Sequence, residues 1–254
     1  MAHLERDGVS IFYQVVGADS GLPPLLLTHG YGASTAMWEA NLPTLGANRP
    51  VITWDVRGHG RSGSPDDPSR YSEAACVADL TAILDACGVD RAIVGGLSLG
   101  GYLSLAFYLA DPARVAALVL CDTGPGFKRD DGRERWNTYA IGRADALDRQ
   151  GVAALSDSPE VRAADHDPRG LAHAARGILT QHDARVINAL PSIAVPTLVL
   201  VGANDEAFLA AADYMAAKIP GAAKAVIPDA GHAANIDPPQ LFDQAVVDVL
   251  QPMS

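Results

Sequence analysis

From Leu25 onward, short apolar runs alternate with stretches of helical periodicity along most of the chain. This rhythm is what a mainly parallel sheet requires, because each parallel strand must be followed by a connection long enough to return to the same edge. Runs at Val9–Val16, Leu25–Thr28, Val51–Asp55, Ala92–Gly95, Ala117–Cys121, Thr197–Gly202 and Lys224–Ile227 read as strands. The first alternates Ser10, Phe12 and Gln14 with Ile11, Tyr13 and Val15 and reads as an antiparallel or edge strand; the later ones are apolar throughout, as strands covered on both faces are. Helical patterns fall at Thr35–Leu45, Glu73–Cys87, Leu99–Ala110, Phe208–Lys218 and Pro239–Leu250, with Ser72 as an N-cap and Gly88 as a terminator.

The rhythm breaks between Asp122 and Pro196, where short helical patterns rich in Arg, Asp and Ala are punctuated by Gly and Pro. A structureless loop of that length is uncommon in a compact domain, so residues 123–190 are expected to form a helical lid inserted into a core made of 1–122 and 191–254. A length of 254 residues suits one such α/β domain. Trp136 and Tyr139, three positions apart, would share one helix face and are candidates to line a cavity under the lid, together with Phe127, Trp38, Phe208 and Tyr31.

The net charge of −11, with 30 acidic against 19 basic residues, argues against nucleic acid or an anionic membrane surface as partner. No apolar run reaches the roughly 18 residues that span a bilayer, and the first residues carry mixed charge without an apolar core, so a cytoplasmic location is the default expectation. Cys76 and Cys87 are three turns apart on one expected helix and cannot pair, and Cys121 ends a strand, which suits a reduced compartment. Neither C-x-x-C nor H-E-x-x-H occurs, so no metal and no cofactor is implied. Homo-oligomerisation is left open.

The chemistry concentrates around Gly96-Leu97-Ser98-Leu99-Gly100, which sits between an apolar strand and a helical stretch. This is the pattern of a nucleophile elbow, in which small residues two positions either side of a serine let the backbone close tightly and lift the hydroxyl above the sheet. A serine nucleophile needs a base, and the base needs an orienting acid. His232, in Asp229-Ala230-Gly231-His232, follows the last strand; Asp205 follows the strand at Thr197–Gly202; both would stand at the carboxyl edge of the sheet. Asp122, after the strand at Ala117–Cys121, is a rival for the acid. Oxyanion donors are expected from the N–H groups of Leu99 and of Tyr31, the latter in the turn His29-Gly30-Tyr31-Gly32. His29 and the stretch Asp55–Ser62 read as structural.

Taken together, His29-Gly30, Asp55 through Ser62, the elbow at Ser98, Asp205 and Gly231-His232 stand in the order of the α/β-hydrolase fold family, which the chain resembles over essentially its whole length. The resemblance implies a mostly parallel eight-stranded sheet flanked by helices, with a catalytic triad of Ser98, Asp205 and His232. Within that family the elbow, the short lid and the approach Ile193 to Leu198 are similar to 3-oxoadipate enol-lactonases and related carboxylesterases. The resemblance thus implies a carboxylic ester hydrolase acting on a small ester or lactone. Serine at position 98 speaks against the epoxide hydrolases and haloalkane dehalogenases, which use aspartate. The same triad would also serve a C–C bond hydrolase of a β-diketone or ring-fission product, or a serine-type non-haem haloperoxidase or perhydrolase. A ligand-binding pseudoenzyme is the non-catalytic reading.

Overall fold

The computed structural model describes residues 1–155, 158–162 and 165–250. At its centre is an eight-stranded sheet of β1 (Ala2–Arg6), β2 (Val9–Val16), β3 (Leu25–Thr28), β4 (Val51–Trp54), β5 (Ala92–Leu97), β6 (Val115–Cys121), β7 (Thr197–Gly202) and β8 (Ala223–Ile227), in spatial order β1-β2-β4-β3-β5-β6-β7-β8. β2 runs antiparallel to β1 and β4, and every other pairing is parallel. Strand β1 is an addition to the sequence reading. Its burial alternates between half-buried and exposed along Ala2–Arg6, as on a sheet edge, so it carries no apolar run to mark it.

Helices α1 (Leu42–Leu45), α2 (Glu73–Ala86) and α3 (Leu99–Ala110) precede β6; α4 (Asp130–Gln150), α5 (Pro159–Arg162), α6 (Pro168–Ala174) and α7 (Arg185–Ala189) lie between β6 and β7; α8 (Glu206–Lys218) and α9 (Pro239–Leu250) follow. The helix expected over Thr35–Leu45 is divided into a single 3₁₀ turn at Thr35–Trp38 and the short α1. Pro43 has no N–H to donate and its ring would clash with the carbonyl four residues back in a continuous helix. Asn41, at the break, instead donates its side-chain amide to the Asn235 carbonyl at 2.9 Å and to Asp243 Oδ1 at 2.8 Å, fastening this segment to α9 and to the loop after β8.

Alternate strand residues face two separate cores. Leu26, Ile52, Val94, Leu118 and Val199 pack with α2, α3 and α8, whereas Leu25, Val51, Ile93, Val119 and Leu200 pack with α9 and Trp38. The parallel registers Thr28↔Gly96, Leu97↔Cys121, Cys121↔Leu200 and Gly202↔Ile227 bring the carboxyl ends of β3, β5, β6, β7 and β8 to one edge. His29, Ser98, Asp122, Asp205 and His232 therefore all emerge there. No helix among the described residues is long and apolar enough to cross a membrane.

Candidate active site

Ser98 caps α3 with φ +55° and ψ −113°, a backbone conformation that a side chain rarely accepts and that costs on the order of 1–3 kcal/mol. Its surroundings hold it there. The Ser98 N–H donates to the Cys121 carbonyl at 2.9 Å, and the Ser98 carbonyl accepts from Thr123 Oγ1 at 2.6 Å and from the Tyr102 N–H at 3.1 Å. The flanking glycines are dictated by contact: a Cβ on Gly96 or on Gly100 would run into the Thr28 carbonyl oxygen, and one on Gly101 would come within 2.5 Å of Thr123 Cγ2. The amide of Leu99 opens the first turn of α3, where an N–H has no intrahelical acceptor and the helix dipole is positive. Gly30, the residue before Tyr31, passes so close that a Cβ there would lie 3.0 Å from Leu97 Cδ2 and 3.6 Å from the Ser98 Cβ.

His232 Nδ1–H donates to Asp205 Oδ2 at 2.8 Å, which leaves Nε2 as the unprotonated nitrogen of the neutral ring. Asp205 is itself held at the head of α8, its N–H on the Gly202 carbonyl and its own carbonyl accepting from Phe208 and Leu209. Burial works against a charged ring at His232, but the hydrogen bond and charge of Asp205, supported by Asp122 and Glu160, outweigh it and raise its pKa above the usual 6.5. The ring of Phe208 stacks on His232, 5.0 Å between centroids and 25° between planes.

Asp122, the rival acid, is occupied elsewhere. Its Oδ1 accepts from the Gly202 N–H at 2.7 Å, and its Oδ2 accepts from the Ala234 N–H at 3.2 Å and the Cys121 thiol at 3.1 Å. It thus clamps the end of β7, from which Asp205 projects, to the loop that carries His232. Full burial pushes its carboxyl up to about 6 despite those three donors. His29 is equally committed: Nδ1–H donates to the Gly30 carbonyl at 2.7 Å while Nε2 accepts from the Val56 N–H at 2.9 Å, and burial lowers its pKa. In the stretch from Asp55 to Ser62, the Asp55 carboxylate accepts from the Thr35 and Arg61 amides, and Arg57 forms a two-pronged pair with Asp79.

A cavity of about 320 Å³ opens beside Ser98 and Leu99, walled by Phe127, Trp136, Leu179 and Phe208. Three residues expected in it are elsewhere. Tyr31 donates its hydroxyl to the Leu171 carbonyl at 2.8 Å and sets its ring edge-on to His59, outside the cavity wall. Trp38 is 1% exposed in the core on the opposite face of the sheet, against Phe242 at 6.0 Å, because the break at Asn41 ties its turn to α9. Tyr139 is 52% exposed on α4, where it packs against the outer side of Trp136 and near Arg143. Sequence reading missed Tyr102, Thr123 and Gln181, which complete the walls. Tyr102 is one turn beyond Ser98 on α3, a spacing that could have found it; Gln181 has no sequence signal. A larger open hollow of about 750 Å³ borders Pro24, Pro50 and Arg91 at the amino-terminal edge of the sheet, away from Ser98.

Known proteins match this arrangement over nearly their full lengths. The 3-oxoadipate enol-lactonase 1 of Acinetobacter baylyi is 28% identical over 260 residues, which span 94% of this chain and 92% of the relative. A hydrolase from Pseudomonas aeruginosa superposes with a TM-score of 0.82 at 30% identity, covering 98% of this chain and 97% of its own. A thermophilic esterase from Thermogutta terrifontis gives 0.85 at 27% identity, covering 100% and 99%. Residues 25–245 match the alpha/beta hydrolase family, and the chain belongs to it.

Proposed function

We propose that this hydrolase cleaves small carboxylic esters or lactones through an acyl-enzyme on Ser98. The observation that carries the reading is the oriented pair His232–Asp205, with Nε2 left free, stacked on Phe208, which walls the same cavity as the strained Ser98. In the first step Ser98 Oγ attacks the ester carbonyl carbon as its proton passes to His232 Nε2. The Leu99 and Tyr31 amides receive the negative charge on the carbonyl oxygen. Collapse of the tetrahedral adduct breaks the bond to the alcohol oxygen, which leaves with the proton from His232. Water then attacks the acyl-enzyme with His232 again as base, releasing the acid and restoring Ser98. Residues 123–190 act as a lid in this reading, since Phe127, Trp136 and Leu179 supply much of the cavity wall. Similarity to proteins named as an enol-lactonase and an esterase supports the choice of ester or lactone.

The experiment is paired labelling and kinetics. A fluorophosphonate probe is expected to modify Ser98, and Ser98→Ala is expected to lose hydrolysis of p-nitrophenyl acetate by at least about 10³-fold. Wild-type-like turnover by Ser98→Ala overturns the mechanism. Assaying ring-fission ketones and peracid formation alongside the esters separates C–C hydrolysis and perhydrolysis from it.

A further inference from the structure

The side-chain polar groups that line the cavity beside Ser98 can be accounted for one by one. Trp136 Nε1–H donates to the Leu179 carbonyl at 2.7 Å, Tyr102 O–H donates to Glu73 Oε2 at 2.9 Å, and Thr123 O–H donates to the Ser98 carbonyl at 2.6 Å. Each of these donors is spent within the protein. Among the described residues, apart from the Ser98 hydroxyl, one side-chain donor remains: the carboxamide of Gln181. Gln181 is only 9% exposed, and its Oε1 is buried with no hydrogen-bond partner. Leaving a buried polar atom unpaired is costly.

Two features keep that carboxamide in place. Asn137 on α4 grips the Gln181 backbone from both sides, its Nδ2 donating to the Gln181 carbonyl and its Oδ1 accepting from the Gln181 N–H, each at 2.8 Å. Gly126, with φ +86°, lies against the side chain, and a Cβ there would come within 2.7 Å of Gln181 Oε1. Any larger residue at 126 would push the carboxamide out of this position. The remaining wall is largely apolar, and among the described residues no Lys, Arg or His lines the cavity, so a substrate carboxylate would find no counter-charge from them.

We propose that Gln181 determines substrate specificity by pairing its carboxamide with a neutral hydrogen-bonding group, an amide above all, on the otherwise apolar arm of an ester or lactone whose carbonyl sits at Ser98. An amide in the substrate presents one donor and one acceptor, which is what a carboxamide can match. The inference rests on the acyl-enzyme reading of the site.

The test compares three chain-matched p-nitrophenyl esters: N-acetyl-β-alanine, hexanoate and the adipate monoester. The wild-type enzyme is expected to turn over the N-acetyl-β-alanine ester with a kcat/KM no lower than that for the hexanoate, and the adipate monoester at least about tenfold more slowly than either. In Gln181→Met, which keeps length and flexibility but removes both hydrogen-bonding atoms, the ratio of kcat/KM for amide over hexanoate is expected to fall about tenfold. The ratio cancels any general loss of folded enzyme, and the wild-type comparison needs no variant. A wild-type preference for hexanoate of tenfold or more, an unchanged ratio in Gln181→Met, or ready hydrolysis of the adipate monoester overturns the role of Gln181 while leaving the Ser98 mechanism intact. An enzyme that turns over none of the three fails the acyl-enzyme reading and the specificity proposal together.

Discussion

Replacing Asp122 with asparagine distinguishes a clamp from a catalytic acid, and its effect on stability should depend on pH in a way the structure dictates. In the folded protein the carboxyl titrates at about 6 against an ordinary 3.8, because it is fully buried. At 1.36 kcal/mol per pH unit, that rise corresponds to ~3 kcal/mol. The sign follows from linkage: a group whose folded pKa is raised contributes stability below its unfolded pKa and loses that contribution as pH climbs through the folded value. Measured from its protonated form, Asp122 therefore costs little near pH 4 and up to ~3 kcal/mol by pH 7. The asparagine of the variant cannot ionise and escapes this cost. It offers only one oxygen to the Gly202 and Ala234 amides, so one donor loses its acceptor, at about 1–3 kcal/mol at every pH.

The two effects nearly cancel at neutral pH, whereas only the loss remains in acid. Urea unfolding of wild type and Asp122→Asn at pH 4 and pH 7 should give a difference in stability that shifts by ~2–3 kcal/mol in the variant's favour on going to pH 7. Titrating groups that do not interact with Asp122 drop out of that difference. A pH-independent difference refutes the reasoning. In the same preparations, Asp205→Asn should lower kcat by about 10⁴-fold, because His232 loses the carboxylate that sets its tautomer. Asp122→Asn should lower it by far less, and the reverse ranking would transfer the acid's role to Asp122.

The acid limb of kcat/KM should have its midpoint above pH 6.5, since His232 must be neutral to accept the Ser98 proton and Asp205 raises its pKa; Asp205→Asn should move that limb to lower pH, as read from a pH–rate profile of residual activity. Gly100→Ala places a methyl on the Thr28 carbonyl oxygen, both on rigid backbone, and should cost more than about 3 kcal/mol in denaturant unfolding or yield insoluble protein. Trp38→Phe should cost about 1–2 kcal/mol in the same assay and leave KM unchanged, because the indole N–H has no partner to lose and the ring lies on the far side of the sheet.

Where the chain's own periodicity decided a feature, the sequence was a sufficient guide. Strands β3 to β7 are largely apolar runs buried throughout, whereas β8, at the sheet edge, carries Lys224 and is mostly exposed; Ser98, Asp205 and His232 follow β5, β7 and β8, so the edge they share could be read in advance. Features decided across the fold were not readable in this way. Whether Trp38 faced the cavity depended on Asn41 reaching Asn235 and Asp243, nearly 200 residues away. Tyr139 shares a helix face with Trp136, but the indole is held inward by the Leu179 carbonyl while the phenol stays outside. Gln181 enters the cavity wall through Asn137 and the space left by Gly126, neither of which is its neighbour in sequence.

The grip of Asn137 on Gln181 lies entirely within the stretch between β6 and β7, whereas Ser98, Asp205 and His232 emerge from the sheet itself. On the proposed reading, the carboxamide that would select a substrate and the residues that would cleave it are thus written in different parts of the gene. Mutation of Gln181, or of Asn137 and Gly126 around it, could redraw the first while leaving the sheet-borne residues of the second in place. A lineage built this way can change its diet while keeping its chemistry.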